Sequence, residues 1–506
     1  MRSIASLWRA AISLLLCAAV AAPGPASAAR RPRFGGTLRV ELHAALVRLD
    51  PRPWRAGSDE EAAGLKLAPL VFDRLVSLDN YGRFQPQLAV EWSHDAGFRR
   101  WQFNLRAGVK FSDGAVLSAA DAVAALQALL PPPRQASAAG STVVIQSAVA
   151  MPELLEELAS GRYFIFRVSS TGALVGTGPF VSAERPSAAA SRGESADAPG
   201  PRLYFRANPD VWSGRPFLDA VDVTLGVAPL RQLYDLQLAR ADVVELTADL
   251  VKRAAQSGLR TWASSPAELY ALCFDLSDPA AQDAVLREAL SLSLDRNTMA
   301  GVLLQKQAEP AAALLPQWLS GYAFLFTVEI NPTRAKELRA SLPTSMASAV
   351  QPLRLRVEAS GDVARLLGDR VVVNARQSQL ILQALNRDAA SPERDAPLRE
   401  PVTLRLIAWR YASLSPAAEL AALSAALKLA GSEQTSAAGP EELQQVERGI
   451  LNDRRVLPLV LVPEFAGLGP NVRDWMPARS GFWDLADVWL DAGEPAPAAG
   501  PPGAQP

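Results

Sequence analysis

Residues 101–114 read WQFNLRAGVKFSDG, and the way this stretch alternates sets the expectation for the fold. Trp101, Phe103 and Leu105 alternate with Gln102, Asn104 and Arg106. A period of two puts the apolar set on one face and the polar set on the other, which predicts a half-buried β-strand. Gly108 and Ser112-Asp113-Gly114 supply turn chemistry. Ser118 and Asp121, in LSAADAVAALQALL, then have the spacing of a helix start, with Val123, Leu126 and Leu130 on one face. The unit is strand, turn, strand, turn, helix, and no residue in it has the character of a catalyst.

Working outward, GGTLRVEL at 35–42 predicts a first strand, closed by Asp50-Pro51, and LAPLVFDRLVSL at 67–78 predicts an amphipathic helix running into a strand. Residues 131–141 and 185–201 are rich in Pro, Ser, Ala and Gly and are expected as exposed loops. Strands are expected at 143–147 and 163–168, flanking a helix near 152–160, and again at 203–206 and 220–225. Asp278-Pro279 places Pro at a first helical position, with Val285, Leu286, Ala289, Leu290 and Leu292 as the buried stripe. Asp295 is expected to cap a second helix containing Met299, Val302 and Leu303. Further strands are expected at 353–357, 380–385, 402–407 and 457–462 with helices between, so the fold class is α/β. At 506 residues the chain exceeds one hydrophobic core, and two or three domains follow.

Composition narrows the function. The 51 basic and 52 acidic residues leave no basic stripe for a phosphate backbone, so no nucleic-acid partner is expected. Arg2, Arg9, the apolar run 10–22 and Ala26-Ser27-Ala28 have the pattern of a secretion signal cut before Ala29. The run falls short of the roughly 20 apolar residues a bilayer span requires. Cys17, in LLLC, leaves a lipid anchor as the alternative. With the signal removed, Cys273 is the one cysteine, so no internal disulfide forms and C-x-x-C chemistry is absent. Its apolar surroundings predict a buried structural thiol. His43 and His94 are the only histidines, which excludes H-E-x-x-H zinc chemistry. Neither a phosphate-binding G-x-x-x-x-G-K-[ST] loop nor a G-x-S-x-G elbow occurs, and the GTG at 176–178 is followed by Pro179, which favours a tight turn over a dinucleotide site. No cofactor, metal or catalytic residue is expected. Of the 11 tryptophans, Trp212, Trp318, Trp409, Trp475 and Trp483 stand in polar contexts, suited either to a ligand cleft or to a core with a bonded indole. The tail 494–506 is expected to be disordered.

The order of several blocks carries a resemblance. GGTLRVELHAALVRLDP, the run from VFDRLVSLDNYGRFQPQLAVEW through FSDGAVLSAADAVAAL, then GTGPF, LYFRANPDVWSGRPFLDAVDVTL, REALSLSLDRNTM and ILNDRRVLPLVLVPEF resemble successive parts of the extracytoplasmic family 5 solute-binding proteins, the oligopeptide, dipeptide and nickel receptors of ABC importers. The resemblance implies a periplasmic binding protein-like fold of class II type, two lobes joined by a hinge, with an additional small domain. It implies a signal at 1–28, domain I from 29–66, 172–262 and a C-terminal return at 470–493, domain II at 67–171, and domain III at 263–469. It implies a monomer that binds a peptide or other small solute and presents it to permease subunits, meeting the membrane only through them.

Ligand contacts are expected from His43, after the first strand, from Gly176, Thr177 and Gly178, and from Trp409, Arg410 and Tyr411 in the segment that matches the family's GW motif. Peptide-binding members carry an Asp shortly after that motif; here the position falls near Ala412 and no acid is present. The expectation is therefore poor binding of free peptide amines and better binding of an N-blocked, anionic or aromatic solute, stacked on Trp409 and paired with Arg410. Two other functions stay open: a degenerate member acting as a sensor or interaction scaffold, and an exported hydrolase, for which no motif speaks.

Overall fold

The computed structural model describes residues 31–491 apart from 45, 47, 56–57, 80–82, 171, 187–200, 347, 349–350, 360, 386–401, 430–438 and 478–482. The chain divides into two units, 1–33 and 34–506, and the second carries the sheets and helices. The expected signal with Cys17, most of the loop 185–201 and the tail 494–506 lie outside the described residues.

Strand β1 (Thr37–Glu41) leads to helix α1 (Asp59–Val71). The helix begins well before the expected Leu67 because Ser58 caps it, its hydroxyl accepting from the Glu61 amide. Strands β2 (Ala89–His94) and β3 (Arg100–Leu105) pair next, followed by helix α2 (Ala119–Gln127) and the hairpin β4 (Gln135–Ala139) and β5 (Thr142–Gln146). They form a four-stranded antiparallel sheet in the order β2-β3-β5-β4. In β3, Trp101 and Phe103 are buried while Gln102 is exposed, as the alternation requires. Ser118 and Asp121 cap α2 reciprocally, side chain to backbone in both directions.

Three expectations for this region are corrected. Residues 131–141 contain β4, an edge strand in which only Ala136 packs toward the core and Gln135, Ser137, Ala138 and Ala139 are exposed, so no apolar alternation is left to read. Residues 163–168 are mostly not strand: Phe164, Ile165 and Phe166 are all buried, so the segment passes through the core, with an isolated bridge from Ile165 to Asp73 and Arg167–Val168 paired to Leu174–Val175. The helix expected from Pro279 breaks in two at Asp283, whose carboxylate accepts from the Val285 and Leu286 amides and starts a new helix, Ala284–Ser293. Asp295 caps the next turn as expected, but Val302 points to solvent. Helix α3 (Leu154–Ala159) lies where a helix was expected.

The large sheet takes up the rest: β6 (Phe180–Ala183), β7 (Arg202–Ala207), β8 (Ala220–Thr224), β9 (Val243–Leu246) after helix α4 (Pro229–Gln237), and β10 (Arg260–Phe274). Next come β11 (Leu353–Val357), helix α5 (Gly361–Gln377), β12 (Leu382–Leu385), β13 (Leu404–Arg410), helix α6 (Pro416–Ala426) and β14 (Val456–Leu468). The order is β6-β7-β8-β1-β9-β14-β10-β13-β11-β12, with Glu309–Pro310 also pairing to β14. Strand β1 is parallel to β8 and β9, and β11 is parallel to β12 and β13.

Two long antiparallel strands join these parallel groups. The 465–468 end of β14 pairs with β9 and with residues 260–263 of β10, whereas its 456–462 end pairs with 268–273. Between those ladders the register shifts, and Pro266 stands opposite Pro463. Proline offers no ladder N–H, so the pairing is weakest where the strands cross from one group to the other. Packing follows this division only in part, because one core also takes in Leu233 and Leu236 of α4 and Val244 and Leu246 of β9. One apolar core holds the small sheet and the β1 side of the large sheet, including Phe103, Phe164, Phe180 and Phe205, each of which contributes about 1.5–3 kcal/mol by burial. Two others lie mainly around β10, β11, β13 and the helices beside them.

Replacing Ser118 by Ala removes one half of the α2 capping box. A loss of about 1 kcal/mol is expected in urea unfolding, and no loss would show that α2 is held by packing alone.

Candidate functional site

A cavity of about 510 Å³ lies where the two parallel groups meet. His43 follows β1, Glu245 ends β9, Glu358 follows β11 and Arg410 ends β13, so strands of both groups deliver their carboxyl ends to it. That is where open α/β sheets bind ligands. Asp59 and Lys66 enter from α1, Asp362 from the start of α5, and Glu268, Tyr270, Pro463 and Glu464 from the crossing strands themselves.

The polar groups form one network. The Lys66 side chain, 4% exposed, places Nζ 2.5 Å from Glu245 Oε1 and 3.0 Å from Glu464 Oε2. Arg410 contacts Glu464 Oε1 at 3.0 Å, Glu268 Oε1 at 3.2 Å and Asp59 Oδ1 at 3.5 Å. Glu464 therefore bridges both cations, while its own amide donates to Ser264 Oγ at the crossing (2.9 Å). The His43 amide donates to Glu245 Oε2 at 2.6 Å, fixing that carboxylate from the rim. Burial pulls the Lys66 ammonium down, yet Glu245 and Glu464 outweigh it and hold its pKa above the ordinary value. Burial lifts Glu268 and Arg410 opposes this, but Asp59 and Glu464 add to the lift and the net direction is up. The upward direction thus records first the loss of water around Glu268, with Asp59 and Glu464 adding to it.

Of the residues expected to touch ligand, His43 and Arg410 line this cavity and the others do not. Trp409 faces the opposite side of β13, 5% exposed, with its indole N–H donating to Glu419 Oε2 at 3.0 Å. Tyr411 is buried beside it and donates its hydroxyl to the Leu314 carbonyl. Residues on one strand alternate faces, so Trp409 and Arg410 cannot serve one ligand side by side. The GTG turn is a joint. A Cβ on Gly176 would stand 1.9 Å from the Val71 carbonyl oxygen and one on Gly178 would stand 2.6 Å from the Val71 carbonyl carbon, so only glycine lets the turn approach α1. Thr177, fully buried, donates to Asp73 Oδ2 at 2.8 Å, as does the Trp212 indole. The Ser112 amide of the SDG turn donates to the Gly176 carbonyl at 2.9 Å, so SDG docks the small sheet on this joint.

Arg410 as a free partner for an anion is also corrected, since three carboxylates already surround it. Lys66, Glu245, Glu268 and Glu464 were not foreseen, although Lys66, Glu268 and Glu464 share a signal: each is a lone charge in an apolar run, GLKLAPLV, ELYALCF and VLVPEFAGL. Cys273 is buried and its thiol is pushed up to about 12 by desolvation. Among the described residues no cluster of three or more His, Cys, Asp and Glu side chains is arranged to hold a metal ion.

Behind β13, burial raises Glu419 from the ordinary 4.5 to about 7, against the opposing bonds from the Ser413 amide and the Trp409 indole. A carboxyl with a raised folded pKa stabilises fully below its unfolded value and loses that contribution as pH climbs through the folded one. Glu419→Gln is expected to flatten the pH dependence of the melting temperature between about 4.5 and 7; an unaltered slope would show that Glu419 titrates normally.

The family described as bacterial extracellular solute-binding proteins, family 5 middle, matches residues 83–342, just over half of the chain. The nickel-binding periplasmic protein of Escherichia coli (strain K12) is 23% identical over 349 residues, covering 62% of this chain and 64% of that protein, so the match spans just under two thirds of the relative's length. An ABC transporter substrate-binding protein of Listeria monocytogenes superposes with a TM-score of 0.73 at 16% identity, covering 90% of this chain and all of that one. Haemophilus influenzae OppA, in complex with the peptide RPPGFSPFR, gives 0.73 at 14% identity over 91% of this chain and 100% of its own. At these identities the structures speak to the fold, which is the two-lobed α/β architecture of binding proteins. The family match is decisive, and the chain belongs to family 5 of the bacterial extracellular solute-binding proteins.

Proposed function

We propose that this chain is the extracytoplasmic solute receptor of an ABC importer. It works as a monomer, encloses a small solute by hinge motion and hands it to the permease without changing it. The observation that carries the reading is the cavity floor: Glu268, Pro463 and Glu464 belong to the very strands that cross between the lobes, so a solute resting there acts on the hinge. In this reading domain I comprises 29–66, 172–262 and 470–493, domain II 67–171 and domain III 263–469, and export uses the signal at 1–28.

The ligand class follows from charge. Glu358 and Asp362 have arginines outside the cavity, at 3.6 Å (Arg405) and 2.8 Å (Arg365). The inner group decides: the largely buried carboxylates Glu245, Glu268 and Glu464, with the exposed Asp59 at the rim, share only Lys66 and Arg410 among the described lining residues. A desolvated carboxylate without full compensation is unfavourable, and a positively charged solute group supplies what is lacking. The solute is therefore a cation, an ammonium or guanidinium, and the acid absent near Ala412 is replaced from the cavity floor. This reverses the expectation of an anionic or N-blocked ligand.

Calorimetry with agmatine, trialanine, N-acetyl-trialanine and succinate tests both points. Agmatine or free trialanine is expected to bind, with the acetylated peptide and succinate weak or silent. Glu268→Gln is expected to weaken binding about tenfold or more, consistent with ~1.5–3 kcal/mol for hydrogen bonds to charged groups. Succinate binding in preference to agmatine overturns the charge assignment alone. A chain that carries no small molecule in native mass spectrometry after purification from its own host, and whose melting temperature no solute raises, is a scaffold and not a receptor.

A further inference from the structure

The two lobes meet at a second place, away from the cavity. Helix α3 belongs to the small sheet: the Trp101 indole N–H donates to the Met151 carbonyl at 3.1 Å, the Met151 amide donates to the Phe98 carbonyl at 2.8 Å, and Leu154 and Leu158 share a core with Phe103. Helix α6 belongs to the other body, where Ala417, Leu420 and Leu423 pack with Trp409 and Tyr411 in a separate core. Among the described residues no apolar core runs through both helices; Ala412, in the loop before α6, packs against the core of α3, and the other contacts described below are hydrogen bonds.

Glu153 stands at the start of α3 without capping it. Its carboxylate instead accepts from the hydroxyl of Ser415, the N-cap of α6, and from the Ala417 amide at 3.3 Å. Ser415 Oγ at the same time accepts from the Ala418 amide at 3.0 Å, completing the cap. Beside this, the Leu414 amide donates to Ser160 Oγ at 2.9 Å, and the Ser160 hydroxyl donates to the Glu156 carbonyl at 2.6 Å. Ser160 and Ser415 are both buried. A carboxylate from one lobe thus completes the N-terminus of a helix in the other, where the helix dipole and charge-assisted bonds favour it.

We propose that Glu153, Ser160 and Ser415 form a latch that holds the lobes closed. They position the lobes around the solute and do not touch it. The chemistry suits a contact that must open: Glu153, Ser160, Ser415 and the amides they bind are groups that water can satisfy once the lobes part, so opening leaves no orphaned donor, and of the connecting loop Ala412 packs against the core of α3. The loop 411–415 leads directly from β13, whose last residue, Arg410, lies in the cavity network, so latch and solute site are linked through one strand end. The proposal rests on closure of the two lobes and is independent of which solute binds.

The test needs no ligand. Hydrogen exchange and small-angle X-ray scattering are measured on the full secreted chain, its Glu153→Gln and Glu153→Ala, Ser160→Ala variants, and Ser415→Thr, which keeps the hydroxyl. The Leu414 and Ala417 amides are expected to exchange at least tenfold faster in the Glu153 variants with an increased radius of gyration, while β10 and β14 keep their protection; Ser415→Thr should behave as the parent does. Unchanged exchange at 414–417 and an unchanged radius overturn the latch. Faster exchange spread equally through β10 and β14 overturns it too, because the contact would then be ordinary structural support.

Discussion

Two strands have to belong to two half-sheets at once. Strands β10 and β14 carry the ladder from the β1 side to the β13 side, and at the crossing Pro266 faces Pro463, where neither can donate a backbone hydrogen bond. A central pair in a sheet is ordinarily its stiffest part. Here the two prolines and the register shifts on either side of Pro266 weaken the pairing at the crossing, and a further shift falls between Tyr270 and Ala271. The cavity lies at that crossing, with Glu268, Pro463 and Glu464 in its lining.

Charge is concentrated at the same point. Glu464 follows Pro463 directly and holds Lys66 with one oxygen and Arg410 with the other. Lys66 comes from α1, in the first lobe's core, and Arg410 from β13, in the other lobe. Buried ion pairs contribute little net stability against well-packed apolar residues, since desolvation offsets most of their attraction. Their value here is specificity of arrangement: a carboxylate shared by two lobes favours one relative placement, and a solute charge that competes for it alters that placement. In the proposed reading, solute recognition and hinge mechanics thus share residues.

The joint at 176–178 shows how a motif can be read for the wrong role. GTGPF has small residues and a hydroxyl, which fits a ligand turn as well as a packed one. What decides is Val71, distant in sequence, whose carbonyl lies where a Cβ would be. Trp409 is a similar case. Its neighbours in sequence are polar, but β13 turns it into the core and turns Arg410 toward the cavity.

Local pattern by itself determined much of this protein. The alternation in WQFNLR, the Ser118 and Asp121 cap, the Asp-Pro helix start at 278–279 and the apolar runs of the central strands are properties of neighbouring residues, and the order of those blocks identified the family. Tertiary structure decided the rest. It made an exposed strand of Ala and Ser at 135–139, where no apolar period exists to be read, and split a helix at Asp283. It gathered Lys66, Glu245, Glu268, Arg410 and Glu464, scattered over most of the chain, into one network. Periodicity records which face of an element is buried. It holds no record of which distant element covers that face, so the pairing of charges, on which the proposed sign of the ligand rests, becomes visible only once the strands are side by side.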